Sequence, residues 1–261
     1  MFKHYAKTAW KVFLRRKFFT LISLFGISFT LVVLMVATAI LDHAFAPYPP
    51  EVNQDRTRTI FRASMLGEHN TWNSGAGYRL LDRHARGLPG VERLSIASMP
   101  SDVQSFVGGQ KVSLSRRRSD AEYWKILGFE FIEGGPFNAA DVEEARYVAV
   151  INERTRDRLL GGIAAVGRTV EADGQRFRVV GVVPNVPAIR MIPYADIWVP
   201  LTTAKNDRYK DDVVGPFMGI ALLEKGASVD AVNAELRSRL KQVELPDPKN
   251  YDRIIATFET P

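Results

Sequence analysis

The chain of 261 residues is 46% apolar and 25% charged, a balance that supports a sizeable core and excludes disorder and a purely fibrous protein. It has no cysteine, which excludes zinc ribbons, thiol nucleophiles, iron–sulfur clusters and disulfide frameworks. The net charge of +6 sits at one end: taking Lys3, Lys7, Lys11, Arg15, Arg16 and Lys17 from the 35 basic residues leaves 29, against 29 acids, in residues 18–261. A nucleic-acid-binding body needs a positive face, so no nucleic-acid partner is expected.

Residues 18–41 form a run of 24 positions without a charge, and that many helical residues reach roughly 36 Å, enough to cross a bilayer. Basic residues precede this transmembrane helix, and Asp42 and His43 follow it. The positive-inside rule therefore puts residues 1–17 in the cytoplasm and everything after about residue 42 outside. Within 1–17, Tyr5, Trp10, Val12, Phe13 and Leu14 alternate with the basic residues, the composition of an amphipathic helix on membrane lipid or of a flank that only sets topology. Ala44-Phe45-Ala46 has the form of a signal-peptide cleavage site. The long apolar run, the long basic flank and Pro47 after the bond favour a retained anchor. Gly26 and Thr30, four apart, admit a close helix neighbour.

Residues 42–56 read as a linker with a flexible Pro-rich joint at 46–50, and 57–65 as a strand. A loop rich in Asn and Gly follows. Tyr78, Leu81, Ala85 and Leu88 recur at helical spacing up to the turn Leu88-Pro89-Gly90, and 91–98 is a second strand. The same unit returns at 217–223 (strand), from Val229 (helix with Ser228 as N-cap, apolar at 229, 232, 236, 240 and 243) and at 251–258 (strand). These two βαβ units, 57–99 and 206–261, predict an α+β fold with a ferredoxin-like layer.

Residues 100–205 read as an inserted β-rich lobe. Strands at 103–107 and 111–115 flank Gly108-Gly109-Gln110, and strands at 169–171 and 176–183 flank Asp173-Gly174, both as hairpins. Ser119-Asp120-Ala121-Glu122 predicts a capping box for a helix ending at Gly128. A strand at 148–151 leads to Asn152 as N-cap of a helix ending at Gly161-Gly162, and a strand at 196–200 closes the region.

Several pieces of the insert, in this order and behind an N-terminal span, resemble one family. They are Tyr123-Trp124-Lys125-Ile126-Leu127-Gly128, Phe131-Ile132-Glu133-Gly134, Val148-Ala149-Val150-Ile151-Asn152-Glu153, Leu159-Leu160-Gly161, Ala165-Val166-Gly167-Arg168, residues 177–183 and Ile197-Trp198-Val199-Pro200. They resemble the periplasmic core domain of MacB-type and FtsX-like permeases, membrane subunits of bacterial ABC transporters. The resemblance implies an inner-membrane protein whose periplasmic domain has a porter-like lobe in two halves and the inserted lobe between them. It further implies a permease dimer and a cytoplasmic ABC ATPase subunit that holds ATP and magnesium. A periplasmic adaptor, a lipoprotein or a cell-wall hydrolase is the implied outer partner. Family permeases have four spans, so an N-terminal fragment of a longer permease is expected, and Gly135-Pro136 stands where the family often has Gly-Arg. The alternative is a single-span anchored scaffold module without ATPase coupling.

In the resemblance the recurring residues shape a fold; Gly128, Gly161, Gly174 and Gly181 are expected as cap, turn and close-packing positions. No catalytic, cofactor-binding or metal-binding residue is expected. There is no phosphate loop, Gly108-Gly109-Gln110-Lys111 lacking its spacing, and no Gly-x-Ser-x-Gly elbow. His4 and His43 flank the span, and His69 and His84 are too far apart in sequence for a ligand pair. Asp141, Glu143 and Glu144 read as a solvated helix start. Arg116-Arg117-Arg118 reads as a solvated hairpin edge that blocks sheet association, with an anionic partner or lipid headgroups as the alternative, and Tyr123 and Trp124 as lobe core.

Overall fold

The computed structural model describes His4, Arg15, residues 17–45 and residues 49–260; the expected amphipathic segment of residues 1–17 lies almost wholly outside them. The chain forms two compact units, Met1–Ala46 and Pro47–Pro261.

The first unit contains helix α1, Lys17–Phe45, which runs four residues past the expected end of the span. Its segment Lys17–Asp42 has the length and composition of a membrane crossing. Its large apolar side chains are exposed from Phe18 to Leu41. The Thr30 and Thr38 hydroxyls donate back to the carbonyls of Gly26 and Leu34 at 2.8 and 2.7 Å, so both polar groups are satisfied inside the helix, as hydrocarbon requires. Open space surrounds Gly26.

The second unit is built on a ten-stranded sheet. Strand β1 (Thr57–Ile60) is followed by β2 (Ala63–Leu66) and β3 (Thr71–Ser74). A helical turn α2 (Tyr78–Leu80) then continues as a π turn, Leu81–Ala85, and leads to β4 (Val91–Ser98). The expected strand at 57–65 is thus two strands, and the expected loop after it contains a third. The apolar pattern explains the break. Ile60, Ala63 and Met65 all enter the same core, and a continuous strand cannot put positions 60 and 63 on one face. An interruption at Phe61-Arg62 restores the phase.

Strand β12 (Phe217–Leu223) lies antiparallel between β1 and β4, with Thr57 opposite Leu222 and Phe217 opposite Ser98. All seven of its residues are buried. Phe217, Ala221 and Leu223 face the core under α2 and helix α6 (Val229–Leu240), whereas Met218, Ile220 and Leu222 face a second core on the opposite side. Two covered faces turn an alternating strand into a continuous apolar run. The last strand β13 (Arg253–Ala256) pairs with β2, and a bridge from Thr59 to Glu259 ties it to β1. The order β13, broken first strand, β12, β4 is that of a ferredoxin-like layer. Asn233 of α6 locks the end of this layer: its side chain donates to Phe258 O at 3.1 Å and accepts from Phe258 N at 2.8 Å.

The insert continues the same sheet. Hairpin β5 (Ser101–Val107) and β6 (Gln110–Ser119) turns at Gly108-Gly109, φ 55° and 81°; hairpin β9 (Thr169–Ala172) and β10 (Gln175–Val183) turns at Asp173-Gly174, φ 56° and 75°. Both are two-residue turns with positive φ at each centre, which match strand twist. Between the hairpins lie helix α3 (Glu122–Leu127), β7 (Glu133–Gly134), α4 (Ala139–Glu143), β8 (Val148–Asn152) and α5 (Glu153–Leu160). Strand β11 (Ile197–Pro200) joins β6 in parallel and β8 antiparallel. The sheets of the layer and the insert meet at one registered pair, Ala97 with Ser119.

Gly128 and Gly161 close α3 and α5 with φ 68° each. Gly181 is a close-packing position. A Cβ there would meet the Gly135 carbonyl oxygen and come within 2.8 Å of the Phe131 ring. Gly181→Ala is expected to lower unfolding stability by about 2 kcal/mol or more, because backbone on one side and a ring on the other leave no cheap relaxation. Urea denaturation of the detergent-solubilised chain measures it.

The predicted capping box at 119–122 is not formed. Ser119 is committed to the sheet and its hydroxyl is buried without a partner. The Asp120 carboxylate caps α3 instead, accepting from Tyr123 N at 3.3 Å while binding Ile96 N at 2.9 Å and Ser95 Oγ at 2.7 Å. Asn152 caps α5 as expected, accepting from Thr155 N at 2.8 Å.

Candidate functional site

The described chain of the second unit begins by locking into that unit's own core. Pro50 and Glu51 are buried, so this end of the expected flexible joint is packed structure; residues 46–48 lie outside the described residues. The Glu51 amide donates to Leu127 O at 2.7 Å, and the Asn53 side chain donates to Ile126 O at 3.3 Å. The incoming chain therefore satisfies two carbonyls of the last turn of α3, groups that a helix end leaves open. Glu51 Oε2 lies 3.7 Å from Arg190 Nη1, which also donates to Pro50 O at 3.3 Å; both side chains are buried. Burial pushes the Glu51 carboxyl up, with the Arg190 charge pulling it back. Glu51 holds φ 93°, a conformation costly for a side chain with a Cβ.

Arg190 belongs to a long connection between β10 and β11, which α3 fixes from the other side. The Tyr123 hydroxyl donates to Ile192 O at 2.8 Å and accepts from Trp198 Nε1 at 3.3 Å. Burial pushes this phenol up to about 12, so it remains a donor at neutral pH. Trp124 packs on Phe129, Phe137 and Trp198 with ring centroids 5.2, 5.2 and 6.1 Å apart. Tyr123 and Trp124 are thus core, as expected, and they make the anchored helix part of a rigid aromatic block.

The arginine triplet is not a solvated edge. Strand β6 is interior to the sheet, and Arg117 has no exposed surface. Its guanidinium donates to Ser98 O at 2.9 Å, to Tyr194 O at 3.2 and 3.3 Å and to Met191 O, and it stands 5.9 Å over the Tyr123 ring. Its charge is spread over backbone carbonyls. Three consecutive arginines suggest surface charge, but the period of two sends Arg117 to one face and its neighbours to the other. There Arg116 and Arg118 line a small cavity with Asp173 and Tyr209.

Asp141 is no solvated residue either. It forms a capping box with Asn138, through bonds of 2.9 and 3.1 Å, and pairs with Arg146 at 3.2 Å; Glu143 and Glu144 are exposed. His69 is exposed, and His84 has its pKa lowered by burial and then by Arg79, Arg83 and Arg239. Among the described residues, no three His, Cys, Asp or Glu side chains are grouped to hold a metal. Sequence reasoning missed the Glu51–Arg190 anchor, since its partners are 139 positions apart and neither belongs to a motif.

A family model described as MacB-like periplasmic core domain matches residues 20–239. The macrolide export ATP-binding/permease protein MacB of Burkholderia cenocepacia is 32% identical over 97 residues, and that of Burkholderia orbicola is equally similar. The match covers 35% of this chain and 14% of each relative, so the chain spans a small part of those proteins. The fold is that of the periplasmic region of MacB from Actinobacillus actinomycetemcomitans, with TM-score 0.56, 16% identity, and 77% of this chain and 88% of that one covered. A domain of a putative permease from Porphyromonas gingivalis gives 0.62 at 14% identity, covering 80% and 90%. The extracellular domain of the noncanonic ABC-type transporter YknZ from Gram-positive bacteria gives 0.57 at 14%, covering 77% and 99%. The matched model runs from within α1 into the last turn of α6, and the chain therefore belongs to the MacB-like periplasmic core domain family of ABC-type permeases.

Proposed function

We propose that the chain is the first span and outer domain of an ATP-driven permease, with residues 1–17 cytoplasmic and the outer domain on the opposite side of the inner membrane. ATP is hydrolysed outside this segment, on an ATPase domain or subunit in the cytoplasm, and two permease copies work together. Movement of the spans is passed to the outer domain and from there to an exported substrate, a lipoprotein or a periplasmic partner. The observation that carries this reading is the anchor at Glu51. Where the second unit begins, the chain is hydrogen-bonded into α3 at Glu51 and held by Arg190, so force arriving at that point is received by a packed block.

This chain has no cysteine, so site-specific labelling requires only that any cysteines in the rest of the permease and in the ATPase be replaced first. A spin label at Ser113→Cys, an exposed position on β6, is to be followed by double electron–electron resonance in the complete permease reconstituted with its ATPase. A nucleotide-dependent change of the distance between the two copies is expected. Distances indifferent to ATP and magnesium would sink the mechanical reading in favour of a static scaffold.

A further inference from the structure

The cavity on the far side of β6 from Arg117 has a volume of about 300 Å³. It is lined by Arg116, Arg118 and Lys205, against a single carboxylate, Asp173, with Tyr209 and Phe217 on its apolar wall. Arg116 is 6% exposed, and its Nε and Nη1 are buried without a hydrogen bond; the Nε of Arg118 is in the same condition. Asp173 does not satisfy them. It is 3.9 Å from Arg116 Nη1 and closer, at 3.4 Å, to Lys205 Nζ. Buried guanidinium donors without acceptors are costly, and here several of them belong to residues lining one cavity that carries two surplus positive charges.

We infer that this pocket binds the oxyanion, carboxylate or phosphate, of a small organic molecule whose apolar body rests on Tyr209 and Phe217. Guanidinium forks match both oxyanions. Burial and the neighbouring Arg118 lower the Arg116 pKa to about 10, so it is cationic at neutral pH and repelled by its neighbour. A bound anion relieves that repulsion. Burial, followed by the Asp207 charge, raises the Tyr209 phenol, which stays protonated despite Arg118.

The test is calorimetric titration of the full chain in a neutral maltoside detergent with phenyl phosphate, benzoate, inorganic phosphate and benzyl alcohol. Saturable one-to-one binding of an aromatic oxyanion, with benzyl alcohol inert, is expected; the ratio of phenyl phosphate to benzoate affinity then assigns the headgroup, and weaker binding of inorganic phosphate supports the apolar wall. Arg118→Gln should weaken binding about tenfold or more. Asp173→Asn should tighten it about threefold or more by removing the competing carboxylate, and asparagine is at home in this positive-φ turn. Arg178→Gln, at a different cavity, should change nothing. No saturable binding at about 10 mM ligand, equal binding of benzyl alcohol, or affinities indifferent to Arg118 and Asp173 would each overturn the assignment.

Discussion

Arg117→Ala is expected to destabilise the second unit by about 3–5 kcal/mol. The side chain fills space beside Tyr123 and Met218 with no exposure. It also supplies donors to the carbonyls of Ser98, Met191 and Tyr194. Its removal leaves a cavity and strands those acceptors together. These groups lie at the seam where β4 ends and the 184–196 connection folds over it, so the loss falls on the junction between layer and insert. Arg117→Lys keeps the charge but has no fork to reach several carbonyls at once, and should lose roughly half as much. Arg117→Met, which keeps volume without donors, should resemble alanine if the carbonyls dominate and approach wild type if packing does. Urea denaturation followed by tryptophan fluorescence distinguishes these outcomes, because Trp124 and Trp198 belong to the adjacent cluster.

The elements legible in the sequence are those whose burial pattern is set locally. In α6, apolar residues at 229, 232, 236 and 240 pack against one core as their spacing implies, with Val243 joining them from just beyond the helix end, and the two-residue turns at Gly108-Gly109 and Asp173-Gly174 carry their own backbone chemistry. Strand β12 reads as a strand because both its faces are covered. What sequence could not show is set by distant partners. Strand β3 is nearly all exposed, so it has no apolar alternation to reveal it and exists by pairing with β2. Ser119 fits a cap until sheet pairing claims it. The arginine triplet misleads for the same reason: charge predicts solvent unless carbonyls from other segments arrive to solvate it. The long apolar helix α1 is the opposite case, legible from composition alone.

Arg190→Met should loosen the point where the chain enters the second unit and make stability more sensitive to pH. With the guanidinium removed, Glu51 retains its buried position but loses the charge that opposes desolvation. An ionised carboxylate left there costs on the order of 3 kcal/mol, and the group escapes that cost by taking up a proton. Its folded-state pKa then rises further above the ordinary 4.5. A carboxyl with a raised folded pKa binds more protons folded than unfolded in the window above 4.5, so stability falls as pH rises through that window and levels off above the folded value. The variant should therefore approach wild type in acid and fall furthest behind at neutral pH. Adding Glu51→Gln should remove the extra pH dependence that Arg190→Met introduces, since no titrating group then remains at this anchor. A third comparison separates backbone from charge: in the Arg190→Met background, Glu51→Gly should be more stable than Glu51→Ala by about 1 kcal/mol, because φ 93° suits glycine alone. Hydrogen exchange at the Glu51 amide, which donates to Leu127 O, reads the local opening directly. If the anchor transmits movement, the variant with the fastest exchange there should show the smallest ATP-dependent distance change, with ATP hydrolysis itself preserved.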